Sequence, residues 1–271
     1  MPPNSRAFRA GLAVLALLLA TPATHAAEDG YFMALGDSYS SGEGVEPYDP
    51  DSGNCHRSAG AYPSLAAGQD PAGAWTYRSV ACSGATTDDT NRPDASGQIH
   101  QVEETAAGVR LVTVTIGGND ARFADMLRRC ALGSTPCTEK NDDEEAWIEN
   151  EVRPRLQTTY AKLRAAAPKA RMVVLTYPHI FQTERHCSAE PGMQNDEKAW
   201  MRDRTDQLDD IIEEEAKAAE LDVLDVRDAF SGHEICTPEP WASGWGDPGP
   251  FHPNATGHEV LARSLVDFLN R

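Results

Sequence analysis

Four short polar blocks stand out along the 271-residue chain: GDSYSSGEG (36–44), CSGATT (82–87), GGND (117–120) and HPNATGH (252–258). Between them they hold the groups that acyl transfer needs. A serine hydroxyl is a weak nucleophile and requires a base to take its proton and donors to hold the oxyanion that forms. Ser38 follows an apolar run and sits in a glycine-rich turn. Turns favour Gly, Asp and Ser in any case, so the neighbouring blocks must decide between a plain turn and a nucleophile. Candidate oxyanion donors are the Ser38 and Gly84 backbone N–H groups and the Asn119 side-chain amide. The base should be a histidine, whose ordinary pKa lies near neutral pH. His252 stands out because a Gly/Pro-rich loop can aim an imidazole, whereas a helix surface mostly solvates one.

The elements that must position these blocks are legible as apolar runs. Strands are expected at Tyr31–Leu35, Trp75–Ala81, Leu111–Ile116, Met172–Thr176 and Leu221–Val226, the second being the weakest. Helices are expected at Glu144–Ala167, at Gln194–Glu220 with a stripe of Trp200, Leu208, Ile211 and Ile212, and at Gly257–Asn270. Near-continuous apolar strands alternating with helices indicate an α/β fold with a parallel sheet buried on both faces. In such sheets ligands sit beyond the C-terminal strand ends. Ser38 follows the first strand and Gly117–Asp120 follows LVTVTI, which puts both blocks on one edge.

Residues 1–26 read as a secretory signal peptide: Arg6 and Arg9, the apolar GLAVLALLLA, then Thr24-His25-Ala26 as a small-residue cleavage site. Ten apolar residues are too few to span a bilayer. The expected mature chain, 27–271, is one domain. Its loss of two arginines takes the formal charge from −18 to −20, a surface that disfavours nucleic acid and anionic membranes. The expected location is extracellular.

All six cysteines lie beyond the leader, and an even count in an exported chain reads as three disulfides. Six cysteines allow fifteen pairings. The expected set is sequential: Cys55–Cys82, Cys130–Cys137 across a short loop, and Cys187–Cys236. A competing reading takes His186, Cys187, His233 and Cys236 as zinc ligands; an oxidising compartment favours the disulfide.

The four blocks, in this order and spacing, resemble the SGNH hydrolase superfamily of GDSL esterases and lipases, and in particular its secreted actinobacterial branch. The resemblance covers nearly the whole mature chain. It implies a flavodoxin-like three-layer α/β/α sandwich and three disulfides. It also implies Ser38 as nucleophile, His252 as base, and Ser38, Gly84 and Asn119 as the oxyanion hole. Neither metal nor cofactor is expected. The expected partner is a small-molecule or lipid ester met by a monomer, without stable membrane insertion.

The sequence departs from that family twice. GDSL becomes GDSY, where Tyr39 reads as a packing residue or pocket wall. Many relatives place an orienting Asp three residues before the histidine, and that position is Gly249 here. A backbone carbonyl near Gly249 or the carboxylate of Asp247 would then orient His252, or the site would be poorly active. Asp37 reads as a structural turn acid, His258 as a packing residue of the last helix, and Glu213–Glu215 as a solvated face. The function expected is hydrolysis of carboxylic, chiefly lipid, esters through an acyl-enzyme. Alternatives are a phospholipase or carbohydrate O-acyl esterase on the same machinery, and a non-catalytic binder.

Overall fold

The computed structural model describes residues 30–69, 75–132, 137–190 and 192–271; the expected leader lies outside them. Five parallel strands form one sheet: β1 (Gly30–Gly36), β2 (Trp75–Ser79), β3 (Val109–Thr115), β4 (Arg171–Leu175) and β5 (Asp222–Leu224), in the order β2-β1-β3-β4-β5. Each expected strand is present with its ends moved by no more than two residues. β1 and β3 bury all but one of their positions, as central strands covered on both faces must. β2 alternates between half-buried and exposed residues, the signature of an edge strand and the reason it reads weakly.

The connections carry α1 (Ser38–Ser41), α2 (Tyr62–Gln69), α3 (Thr87–Thr90), α4 (Gln98–Thr105), α5 (Phe123–Leu132), α6 (Asn141–Trp147), α7 (Arg153–Ala166), α8 (Asn195–Ala218) and α9 (Ala255–Leu269). α2 packs on α9 over one face of the sheet, while α4, α7 and α8 pack side by side over the other. This is the expected three-layer α/β/α sandwich, and one continuous apolar core runs through it. The chain goes from β1 out to β2 and returns to β3 on the other side. The topological switch point therefore lies between β1 and β3, where open α/β sheets bind ligands.

The helix expected over 144–167 is divided. A π turn at Ile148–Val152 separates α6 from α7, and the Arg153 N–H reaches the Ile148 carbonyl. Pro154 follows directly. Proline has no N–H to continue an α ladder and crowds the preceding turn, and widening that turn absorbs it.

The disulfides pair as expected: Cys55–Cys82, Cys130–Cys137 and Cys187–Cys236. The first ties the segment after α1 to the loop that follows β2. The third joins the loops that follow β4 and β5. Both restrain the strand edge where the polar blocks gather.

Candidate active site

Gly36 makes the turn that carries Ser38. Its φ is +121°, and a Cβ there would lie 2.2 Å from the Thr115 carbonyl oxygen, so only glycine fits between β1 and β3. The Gln98 side chain clamps this residue from α4: Oε1 accepts the Gly36 N–H at 2.7 Å, and Nε2 donates to the Gly36 carbonyl at 2.9 Å. Asp37 then caps α1, accepting the Tyr39 N–H at 3.0 Å while its own N–H donates to Thr115 at 2.9 Å. Ser38 is the first residue of α1 and is buried.

His252 arrives from the loop before α9. Its Nε2 lies 2.8 Å from Ser38 Oγ, and its Nδ1 lies 3.0 Å from the Pro250 carbonyl oxygen. A carbonyl can only accept, so the proton belongs on Nδ1 and Nε2 presents a bare lone pair to the serine hydroxyl. That is the tautomer a general base needs. Burial pushes the His252 pKa below its ordinary 6.5, and the Pro250 contact and the charge of Glu43 partly oppose the shift.

The group on Nδ1 is thus a backbone carbonyl near Gly249, that of Pro250, and not the Asp247 carboxylate. The Gly249 carbonyl accepts the His252 main-chain N–H at 3.2 Å, so the turn presents the next carbonyl, that of Pro250, to the ring. The Asp247 carboxylate accepts the Gly244 N–H at 2.9 Å and closes its own loop.

The oxyanion candidates lie on three strand ends. Gly84 has φ +79°. Among the described residues neither its N–H nor that of Ser38 meets a hydrogen-bond acceptor. Asn119 donates one amide hydrogen to the Ala85 carbonyl at 2.9 Å, which fixes its orientation and leaves the second hydrogen free. The next residue stitches the CSGATT and GGND blocks together: Asp120 accepts the Thr87 N–H at 2.9 Å and the Thr87 hydroxyl at 2.6 Å.

Tyr177, two residues beyond β4, has no counterpart in the sequence reading. Its hydroxyl accepts the Gly118 N–H at 3.0 Å and donates to the Asp37 carboxylate. One phenol thus links the turn bearing Ser38 to the turn bearing Asn119. Burial raises the Asp37 pKa to about 7 against these hydrogen bonds. Tyr177 and Gln98 each sit among ordinary strand or helix residues, so no motif marks them. Glu43 stands inside GDSYSSGEG, where its position was the available signal.

An apolar cavity of about 300 Å³ opens beside Ser38, lined by Phe123, Leu127, Ile180, Phe181 and Met201 with Asn119 and His252 at its polar end. Tyr39 is a wall of it and donates its hydroxyl to the Phe251 carbonyl at 3.0 Å. Trp245 and Phe251 also line it, and Trp245 is 43% exposed. Trp241 stacks on His233 and Tyr48 on His56 instead, at 3.7 and 4.6 Å between centroids. Gly84 borders a separate polar groove with Ser83 and Asp89.

The zinc alternative loses its ligands, because Cys187 and Cys236 are bonded to each other and His233 Nδ1 meets the Glu239 carbonyl. Cys130, Cys137 and Glu197 also cluster, but these sulfurs form a disulfide and Glu197 accepts the Cys137 N–H at 2.9 Å.

The GDSL-like lipase/acylhydrolase family matches residues 34–260. The chain belongs to that family. The four-block resemblance to the SGNH hydrolases is thereby borne out, and the protein is a carboxylic ester hydrolase. It is 36% identical to Lipase 1 of Streptomyces coelicolor over 94% of this chain and 91% of the relative. It is 34% identical to a lipase of Streptomyces rimosus over 83% and 81%. Among solved structures it resembles the extracellular lipase of Streptomyces rimosus, with TM-score 0.77 and 32% identity over 89% of this chain and 98% of that one. It resembles phospholipase A1 of Streptomyces albidoflavus equally, with TM-score 0.77 and 36% identity over 89% and 98%.

Proposed function

We propose that this family member is a secreted serine lipase/esterase acting through an acyl-enzyme. The 2.8 Å contact between Ser38 Oγ and His252 Nε2 carries the reading. His252 Nε2 takes the hydroxyl proton as Oγ attacks the acyl carbonyl carbon. The oxyanion collects hydrogen bonds from the Ser38 and Gly84 N–H groups and the free Asn119 hydrogen. His252 then returns its proton to the departing alkoxide, and the alcohol leaves. Water, deprotonated by the same nitrogen, attacks the acyl-serine and releases the acid. The Pro250 carbonyl holds the ring's tautomer throughout. Removing one oxyanion donor typically costs about 100- to 1000-fold in turnover.

The apolar cavity supports a fatty-acyl substrate of medium length, because its size sits at the lower end for ligand pockets and its walls offer few polar partners. The similarity to phospholipase A1 favours phospholipid as a second substrate class. The leader-like residues 1–26 and the three disulfides support export. Hydrolysis of p-nitrophenyl esters from acetate to palmitate, with Ser38→Ala beside the unmodified protein, tests the assignment. Activity peaking at medium chains and abolished in the variant is the expected result. Ordinary turnover by Ser38→Ala would refute it, and activity confined to acetate would refute the fatty-acyl substrate.

A further inference from the structure

Gly249, at the position of the orienting aspartate in many relatives, has no room for a side chain. Its φ is +57°, and a Cβ there would lie 2.4 Å from Gly44 Cα, 2.6 Å from Gly44 N and 3.1 Å from the Glu43 carbonyl carbon. These are backbone atoms and cannot swing aside as the tip of a side chain can. The contact is mutual, since a Cβ on Gly44, φ +90°, would meet the Pro248 carbonyl at 3.1 Å and Gly249 Cα at 3.3 Å. The segment after the nucleophile helix and the histidine loop therefore pack main chain against main chain. The Glu43 main chain is part of that contact.

Several bonds fix Glu43. Its N–H donates to the Ser38 carbonyl at 3.1 Å. One carboxylate oxygen accepts the Ser83 hydroxyl at 2.6 Å and meets His56 Nδ1 at 2.7 Å, and the other accepts the Tyr48 hydroxyl at 3.4 Å. Tyr48 in turn accepts the Gly44 N–H at 2.8 Å. The Ser83 and His56 contacts outweigh partial burial and hold the Glu43 pKa below the usual carboxylate range, so the group is charged at neutral pH.

We propose that Glu43 is a positioning residue acting through His252: across the packed loops it supplies the negative charge that favours the imidazolium, in place of the aspartate that Gly249 excludes. This rests on the assignment of His252 as base. The other titratable groups nearby do not serve. Burial pushes the pKa of His258, beneath the loop, down to about 3 and leaves it uncharged. Asp37 is bound to Tyr177 and the Tyr39 N–H, and Asp247 is turned to Gly244. Glu43 is the carboxylate whose charge raises the His252 pKa against its burial.

The test is the pH profile of p-nitrophenyl butyrate hydrolysis by Glu43→Gln, which keeps hydrogen-bonding partners for Ser83 and His56 and removes the charge. A charge near the edge of a protein's effective dielectric range shifts a neighbour by about 0.5 to 1 pH unit, the same as about three- to tenfold in the stability of the imidazolium. The acid limb of kcat/KM should therefore move to lower pH by that amount while plateau kcat falls about three- to tenfold. Glu43→Asp, which keeps the charge, should leave the limb in place. A purely structural role would lower kcat without moving the limb. A folded Glu43→Gln protein, with unchanged melting temperature and an unmoved limb, overturns the proposal. Glu43→Ser gives the same reading if the glutamine variant fails to fold. A fluorophosphonate probe separates the two failures. Labelling of wild-type Ser38 with an unmoved limb sinks the role of Glu43 alone, whereas no labelling sinks the serine mechanism beneath it.

Discussion

Replacing Tyr177 by phenylalanine removes one oxygen from a buried position and takes one hydrogen-bond partner from each of two groups. The Gly118 N–H loses its acceptor, and the Asp37 carboxylate loses its phenol donor while keeping the Tyr39 N–H. A buried donor left unsatisfied costs about 1–3 kcal/mol, and a hydrogen bond to a charged group contributes about 1.5–3 kcal/mol. The sum depends on pH through Asp37, whose folded pKa is raised from 3.8 to about 7 by burial. Its native state thus binds a proton more tightly than its unfolded state, a contribution that stabilises at low pH and is lost as pH rises through about 7. At pH 5 the carboxyl is protonated in the wild type and in the variant, and the loss is confined to neutral hydrogen bonds, about 1–2 kcal/mol. At pH 8 the wild type holds an ionised carboxylate on a charge-assisted bond that the variant lacks; one pH unit above a pKa of about 7 this adds at most about 1.4 kcal/mol, and the loss grows to about 2–3 kcal/mol. Urea denaturation of both proteins at pH 5 and pH 8 reads this difference as a shift in midpoint at constant slope. Turnover at pH 8 should fall about tenfold or more, because the turns bearing Ser38 and Asn119 are no longer tied together. An equal stability loss at both pH values, or one below about 0.5 kcal/mol, would refute the account of Tyr177 as the link between these turns.

Three further outcomes follow from the same geometry. His252→Ala should retain its fold and lose about a thousandfold or more in turnover with p-nitrophenyl butyrate, whereas Asp247→Ala should lose about tenfold or less, since its carboxylate serves the Gly244 turn. In the wild type the base must be neutral, so kcat/KM should fall as pH drops through the His252 pKa; burial sets that limb below 6.5, and a limb at or above 6.5 would contradict it. Gly249→Asp, which restores the family's D-x-x-H spacing, should lower both the melting temperature and turnover, because its Cβ meets Gly44 Cα at 2.4 Å in a left-handed conformation; a gain in activity would show that the loops can part to admit the acid.

The fold was legible because its signals are local. Apolar runs of five to seven residues, turn residues at their ends and the polar blocks just beyond them are properties of short stretches, and these stretches became β1, β3 and β4 with small changes at their ends. The weak reading of β2 and the undivided helix over 144–167 show where local signals thin out. An edge strand buries only one side, and a single proline can be absorbed by one widened turn.

The site divides along the same line. The sequence alone determined which residue types were at hand: a serine at a strand end, an asparagine at another, a histidine in a Gly/Pro-rich loop. Only the tertiary structure decided that Ser38 and His252, 214 residues apart, lie within 2.8 Å. It also decided that the carbonyl on Nδ1 is that of Pro250 and not Gly249. Gln98, Tyr177 and Glu43 escaped the sequence reading because their roles depend on partners brought beside them by the sheet: Gly36 for Gln98, Asp37 and Gly118 for Tyr177, Ser83 and the His252 loop for Glu43. A hydrogen bond or a charge acts over a few ångströms of space, whatever the number of residues between the groups, and that distance exists only once the chain has folded.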